Sequence, residues 1–423
     1  MIQTARGVRD ILPEEAEVWH FLEETAITLF GLYGYQEVRT PLFEKSGLFS
    51  RAVGETTDIV EKEMYTFTDR GGESLSLRPE GTASVVRAFL EAGLTRQLPW
   101  RVCYRGPMFR YERPQKGRYR QFHQLGCELL GPAGPLADAE QMAMILDYLR
   151  RVGLGEGLTL EINSLGCGAC RPGYREGLVG YLRSVPGDAG SPLCENCRRR
   201  LRENPLRVLD CKLPECRAVA ARAPVMRDHL CPPCADHFRG LVAELEGLAL
   251  PYVLNPLMVR GLDYYTRTAF EVTTTRLGAQ NAVAAGGRYD SLVAQLGGPE
   301  VPAIGFAMGL ERLALLLAES PRAAAAPAAY VVAVGEAAEL LGARVAASLR
   351  GAGLRVVADL MGGSMKSQMK RADRSGAPVT LILGEEEAAK GQVMVKNMAA
   401  RTQRILAWEE VLPYLDTPSV RGG

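Results

Sequence analysis

The sequence predicts an α+β architecture: a mostly antiparallel sheet flanked by helices, interrupted by a cysteine-rich helical unit and followed by a smaller α/β domain. Three observations carry this. Strand pairs with helices between them fill the first 160 residues and return after Leu254; eight of the ten cysteines fall between Cys167 and Cys234; and strands alternate with helices beyond about residue 330. At roughly 150 residues per domain, 423 residues suffice for two to four units. With 47% apolar and 23% charged residues, the disordered and fibrous classes are excluded. The 50 Lys and Arg against 49 Asp and Glu leave a net charge of +1, so a polyanionic partner must be held by local patches. No stretch approaches the ~18 uninterrupted apolar residues of a membrane span, and Met1 to Glu17 lacks the basic start and apolar core of a signal peptide. The expectation is a cytoplasmic protein without a membrane partner, whose cysteines are thiols or metal ligands rather than disulfides.

Element by element, Trp19, Leu22, Ala26, Leu29 and Phe30 recur at helical spacing after Pro13, with Glu14 and Glu15 suited to the positive end of a helix running to about Gly31. Gln36 to Thr40 reads as a strand stopped by Pro41. Met64 to Thr68 and Leu75 to Leu77 form a hairpin around Asp69-Arg70-Gly71-Gly72, and a helix opens near Gly81-Thr82. Ser320 to Ala329 has linker composition. Beyond it Tyr330 to Val334, Arg355 to Ala358, Val379 to Leu383 and Gln392 to Val395 read as strands, with helices between the first three.

Between Arg101 and Arg120 seven arginines and lysines face one acid, Glu112, which concentrates a charge of +6 in a nearly neutral chain. Pro114-Gln115-Lys116-Gly117 is turn chemistry, so two antiparallel strands joined by a long basic loop are expected. On the return strand Leu125, Cys127 and Leu129 share the packing face, and Gln124, Gly126 and Glu128 share the other. Gln124 and Glu128 then stand ~13 Å apart, with the bare backbone of Gly126 as a floor on which a small polar molecule fits. His123 has the parity of Leu125 and reads as a packed, hydrogen-bonded histidine; Cys103 and Cys127 read as core thiols.

At this point five segments in order resemble the bacterial histidyl-tRNA synthetases, a family of class II aminoacyl-tRNA synthetases. Gly34-Tyr35-Gln36-Glu37-Val38-Arg39-Thr40-Pro41 resembles the first class II motif, whose proline lies near a homodimer interface. Phe109 to Gln124 resembles the second and Gly305-Phe306-Ala307-Met308-Gly309-Leu310-Glu311-Arg312-Leu313 the third. Arg260-Gly261-Leu262-Asp263-Tyr264-Tyr265-Thr266-Arg267-Thr268 and Gly286-Gly287-Arg288-Tyr289-Asp290 resemble the two segments particular to the histidine enzymes. One departure is Ser291, where the family often has glycine. The resemblance implies a class II catalytic core over residues 1–166 and 251–320, a cysteine-rich insertion over 167–250, a linker over 321–329 and an anticodon-binding domain over 330–423.

It also implies a reaction and its residues. Histidine attacks the α-phosphate of ATP, and a ribose hydroxyl of tRNA(His) then attacks the histidyl-adenylate. By resemblance Arg110 holds the α-phosphate, Arg312 the γ-phosphate, and Arg260 sits between the substrate carboxylate and the α-phosphate, Arg110 and Arg260 being the catalytic pair. Phe122 stacks on adenine, Glu112 contacts the nucleotide near that base, and magnesium accompanies the polyphosphate. Glu80, Thr82 and Gln124 match an ammonium site; Glu128 and Tyr265, with Tyr264 alongside, match an imidazole site. Arg113, Gln115, Lys116 and Arg118 face the acceptor end of the tRNA, where the family reads an extra 5′ guanosine and the discriminator base. Lys366 and Lys370 resemble anticodon-binding positions.

The clustered cysteines form four pairs, Cys167/Cys170, Cys194/Cys197, Cys211/Cys216 and Cys231/Cys234. Three have the C-x₂-C spacing that lets two thiolates share a tetrahedral zinc, so two four-thiolate zinc sites and free, packed thiols both remain open. His229 and His237 flank the last pair as alternative ligands or as surface helix residues. His20, beside the first helix's apolar stripe, is expected to have no chemical role. The rival function is that of a non-catalytic regulator of ATP phosphoribosyltransferase, whose members resemble the catalytic core but lack the anticodon domain.

Overall fold

The computed structural model of the chain describes residues 2–185, 193–278, 281–318 and 326–416. It divides into two compact units, residues 1–321 and 322–423; positions 321–325 of the expected linker lie outside the described residues. In the first unit the strands run β1 (Gln36–Glu37), β2 (Phe43–Lys45), β3 (Thr66–Thr68), β4 (Ser74–Leu77), β5 (Trp100–Phe109), β6 (Gln121–Leu130), β7 (Leu158–Ser164), β8 (Val253–Leu254), β9 (Thr266–Thr274), β10 (Ala282–Arg288) and β11 (Ala303–Gly309). The second unit holds β12 (Ala329–Ala333), β13 (Val356–Ala358), β14 (Val379–Leu383), β15 (Gln392–Asn397) and β16 (Gln403–Ala407).

Eight strands form the main sheet in the order β1-β5-β6-β11-β10-β9-β7-β8. Only the short outer pairs, β1 with β5 and β7 with β8, are parallel; the rest are antiparallel. The predicted first helix is present as Pro13–Leu32, and its stripe of Trp19, Leu22, Ala26, Leu29 and Phe30 is buried. Together with helix Pro135–Arg151 it packs on Leu125, Cys127 and Leu129, the packing face read from the alternation in β6. Each fully buried leucine side chain contributes about 1.5–3 kcal/mol by leaving water. The opposite face of the sheet is left to the cleft, under helices Ser46–Val53 and Thr82–Glu91.

Two expectations change. The strand after Tyr35 is only two residues long, because Thr40 turns aside to accept from Arg78 through both its carbonyl and its hydroxyl. His237 is not a surface residue: its Nε2 lies 2.8 Å from Asp138 Oδ2 in the core. That aspartate also accepts from Thr268 Oγ1 at 2.5 Å and pairs with the fully buried Arg288 at 2.7 Å. A buried carboxylate must be met this way, since an unpaired charge in the interior costs several kcal/mol. The contact ties the last insertion helix, Pro232–Gly247, to the core.

The second unit is a five-stranded sheet, β13-β12-β14-β15-β16, with its own apolar core around Val331, Val345, Leu381 and Val395. Helices Glu336–Gly351 and Met365–Arg374 make the expected parallel crossovers. Strand β16 was not expected; its residues are mostly exposed at the sheet edge, so it carries little apolar alternation.

Candidate active site and cysteine clusters

The cleft of about 430 Å³ on the open face of the main sheet lies in the size range of small-molecule sites. Its wall brings together Glu80, Thr82, Arg110, Glu112, Arg118, Phe122, Gln124, Arg260, Tyr264, Tyr265 and Arg312. Residues up to 232 positions apart in sequence meet here because β6, β11, β10 and β9 are neighbours.

One part of the wall is cationic. Arg110 leaves the end of β5, donates Nε to the Pro79 carbonyl at 2.9 Å and lies over the Phe122 ring at 5.3 Å. Arg312, in the first turn of helix Leu310–Leu317, donates to the Ala282 carbonyl at 2.6 Å. Arg118 enters the same wall and pairs with Glu112. Arg113, Gln115 and Lys116, grouped with it in the sequence, stand exposed on the loop, while Arg118 folds inward. Burial lowers the pKa of all three arginines, and Arg110 and Arg118 each help lower another member of the group. Gathered cations that disfavour one another are a receptor for an anion, and arginine keeps its charge there.

The other part is lined by carboxylates and phenols. Glu80 accepts from the backbone N–H groups of Thr82 and Ala83, both at 2.8 Å, which fixes it at the start of helix Thr82–Glu91. The Tyr264 hydroxyl donates to it at 3.3 Å. Arg260 is ion-paired with Glu271 and lies over the Tyr265 ring at 5.3 Å. Burial works against the charge of Arg260, but Glu271 and the two tyrosine hydroxyls outweigh it and hold its pKa above the ordinary value. Two buried atoms in this wall lack partners: the Gln124 Oε1 acceptor and the Arg260 Nε donor.

Glu128 lies beneath this wall rather than on an open face. It is fully buried, and its two oxygens accept from Thr82 Oγ1 at 2.7 Å and from the Tyr289 hydroxyl at 2.5 Å. Burial, helped by the nearby Glu80, pushes its carboxyl up to about 8. Gly305, opposite in register, keeps this space open, since a Cβ there would fall on the carboxylate. The expected bare floor at Gly126 is also filled: Tyr104, its partner across β5 and β6, lays its ring over the glycine. Tyr104, Tyr289 and Glu271 are thus cleft residues that single-strand reasoning missed. A tyrosine opposite a glycine in a hairpin register was the available sign for the first. His123 is packed as expected, edge-on to Trp19 at 4.9 Å, with its backbone N–H held by Glu311 at 2.9 Å.

In the insertion the eight thiols form two sets, Cys167, Cys170, Cys231 and Cys234, and Cys194, Cys197, Cys211 and Cys216; within each set all Sγ atoms lie within 4.8 Å of one another. Backbone N–H donors at Cys170 and Ala169 outweigh burial and bring Cys167 down to about 7. His229 is exposed and His237 is engaged with Asp138, so neither completes a set. In the second unit Lys366 and Lys370 share the exposed face of helix Met365–Arg374, while Gln368 and Ala372 are buried.

A family model described as histidyl-tRNA synthetase matches residues 7–167 and 197–313, and one described as anticodon binding domain matches residues 328–417. A curated histidine–tRNA ligase of Geobacter metallireducens is 52% identical over 404 residues, 95% of this chain and 96% of that protein. One of Syntrophotalea carbinolica is 50% identical over 97% of both chains. The crystal structure of apo S. aureus histidyl-tRNA synthetase superposes with a TM-score of 0.80 at 35% identity, covering 99% of this chain and 100% of that one.

Proposed function

This chain belongs to the histidyl-tRNA synthetase family and is a histidine–tRNA ligase, and from that premise we propose how its residues divide the work. The observation that carries the division is the pair of unpartnered buried atoms beside the arginine group. Gln124 Oε1 needs a donor and Arg260 Nε an acceptor, and an amino acid supplies an ammonium and a carboxylate. Glu80, Thr82 and Gln124 therefore take the ammonium, Arg260 the carboxylate, and Glu128, Tyr264 and Tyr265 the imidazole. Arg110, Arg118 and Arg312 take the triphosphate, with Phe122 and Glu112 at the base.

In adenylate formation a histidine carboxylate oxygen attacks the α-phosphorus, the bond to the β-phosphate oxygen breaks, and the adenylyl group passes to histidine as pyrophosphate leaves. Negative charge grows on the phosphate oxygens as this happens, and Arg110 and Arg260 are fixed beforehand where it grows. ATP acts with a divalent metal, which we take to be magnesium; it would be held chiefly by the triphosphate oxygens, with one or two carboxylates of this wall. When bound it screens the polyphosphate charge. Histidine-dependent ATP–pyrophosphate exchange against all twenty amino acids tests the assignment: only histidine supports it, and equal exchange with another amino acid refutes it. The regulatory alternative is not favoured, because the named relatives are ligases matched over their whole lengths and the anticodon model matches the second unit.

For tRNA(His), Arg113, Gln115 and Lys116 meet the acceptor end, and Lys366 and Lys370 the anticodon arm. The second unit has its own core. Removing residues 330–423 is expected to leave adenylate formation within about twofold and to slow charging on the order of 100-fold, as two contacts at about 1–3 kcal/mol each would require. Equal charging with and without the domain refutes this. Leu42, Phe43 and Phe67 stand exposed beside Pro41, an apolar patch that supports a homodimer on this side. Among the described residues no helix is long and apolar enough to cross a membrane, and we place the enzyme in the cytoplasm.

Each thiol set has the composition of a closed structural zinc site. The metal answers the chemistry of the sets: in each, four Sγ atoms lie within 4.8 Å of one another, the donor set of one tetrahedral dication. Protein purified without added zinc is expected to carry two equivalents per chain. Metal below about a tenth of an equivalent overturns the assignment.

A further inference from the structure

Resting on that zinc assignment, we propose that the Cys194, Cys197, Cys211 and Cys216 site is a positioning element for the histidine pocket: its metal holds the segment Asn204–Lys212 against the back of the segment that carries Arg260 and Tyr265. Cys211 has Asp210 and Lys212 as chain neighbours, and both line the substrate cleft together with Arg207. Arg207 lies 3.6 Å from the Cβ position of Gly261, directly after Arg260. A small cavity of about 50 Å³ separates the two segments, walled by Asn204, Leu206 and Leu209 on one side and by Val259, Leu262 and Tyr265 on the other. The pocket loop therefore leans on a stretch held by Val208 and Leu209 in the insertion's apolar core and, at the end beside the cleft, by Cys211.

That anchor has few substitutes. Helix Glu195–Glu203 (ENCRRRLRE) carries four arginines, fully buries only Cys197 and adds one partly buried leucine, Leu201, so the apolar face with which it docks is narrow. At nine residues it is too short to be stable alone. Besides sulfur, Leu201 of this helix and Leu206, Val208 and Leu209 of the next segment pack in the small apolar core of the insertion, and half-exposed contacts add to them: Arg200 and Arg207 lie 3.5 and 3.7 Å from Asp58, and Arg200 donates to the Arg207 carbonyl at 3.2 Å. Ion pairs of this kind give about 0–1 kcal/mol each. The other thiol set touches the same loop independently, since Arg171, next to Cys170, donates to the Tyr265 carbonyl. A pocket wall shifted by about 1 Å costs up to about 10²-fold.

The test is Cys216→Ser, a thiol in helix Pro214–Ala220 that does not line the cleft. Bound zinc is expected to fall from two equivalents to one. The KM for histidine rises about tenfold in pyrophosphate exchange and kcat falls with it, because the shifted segment carries Arg260, while the KM for ATP stays within about twofold. Cys216→His, which restores a zinc ligand, recovers both the metal and the KM. Loss of one equivalent with an unchanged KM for histidine overturns the positioning role and leaves the zinc assignment standing. Absence of metal from the wild-type enzyme overturns both. Should Cys216→Ser not fold, the wild-type enzyme stripped by a chelator and reloaded with zinc, with helicity followed by circular dichroism, gives the same reading: a reversible rise in the histidine KM supports the proposal, and an unchanged KM in folded, zinc-free enzyme overturns it.

Discussion

Glu128→Ala is expected to abolish histidine activation, lowering histidine-dependent exchange on the order of 10⁴-fold while ATP binding stays within about twofold. The size follows from what the residue holds. Its oxygens accept from Thr82 and Tyr289, and a carboxylate has room for a further donor from the imidazole. Truncation removes that acceptor and leaves buried hydroxyls at the bottom of the pocket without partners. The nucleotide side is spared because Arg110, Arg118 and Arg312 are held by other partners, the Pro79 carbonyl, Glu112 and the Ala282 carbonyl. Near-normal exchange in this variant would remove Glu128 from the histidine site.

The same residue sets a pH dependence. Its carboxyl stands at about 8, above its ordinary value, so its contribution to stability is full below about pH 4 and is lost as pH rises through about 8. Histidine binding follows the shared proton. Between the free imidazole's pKa of about 6.5 and about 8, a neutral carboxyl meets a neutral imidazole and no proton is exchanged. Above that window the empty site must take up a proton to bind, so affinity falls; below it, one must be released. Calorimetric titration of histidine should show a maximum near pH 7, and Glu128→Gln, which does not ionise, should bind more weakly without the decline above pH 8. A decline that persists in Glu128→Gln assigns it to another group.

Much of this site was legible in the sequence because its parts obey local rules. The parity of β6 separated Leu125, Cys127 and Leu129 from Gln124 and Glu128, and the cysteine spacings marked the four pairs that the fold joins two by two. What escaped depended on partners far along the chain. Tyr104 fills the space above Gly126 only through the register of β5 and β6, and Glu271 matters only because β9 brings it to Arg260. Arg118 was assigned by its place in a basic loop, yet Glu112 draws it inward. His237 sits in a polar stretch of sequence and is buried by Asp138, 99 positions away. A one-dimensional pattern reports which face a residue takes; it does not report which charge will meet it there.

Arg260→Ala is expected to lower kcat for adenylate formation by about 10²–10³-fold, the usual effect of removing one preorganised donor, about 3–4 kcal/mol. The KM for ATP should change little, because Arg110 and Arg312 retain the triphosphate. Arg260 is held from two sides, by the Glu271 carboxylate and the Tyr265 ring, leaving Nε free for the substrate. Glu271 therefore orients the guanidinium, and Glu271→Gln should reproduce part of the kcat loss through Arg260. The double variant separates the two. If Glu271 acts only through Arg260, Arg260→Ala with Glu271→Gln is no slower than Arg260→Ala alone, and it is faster wherever the unpaired Glu271 carboxylate repels the phosphate in the single variant. Additive losses would mean that Glu271 contributes by a separate route, such as holding the divalent metal, and single-turnover rates across a magnesium titration would show it as a shifted metal dependence in Glu271→Gln.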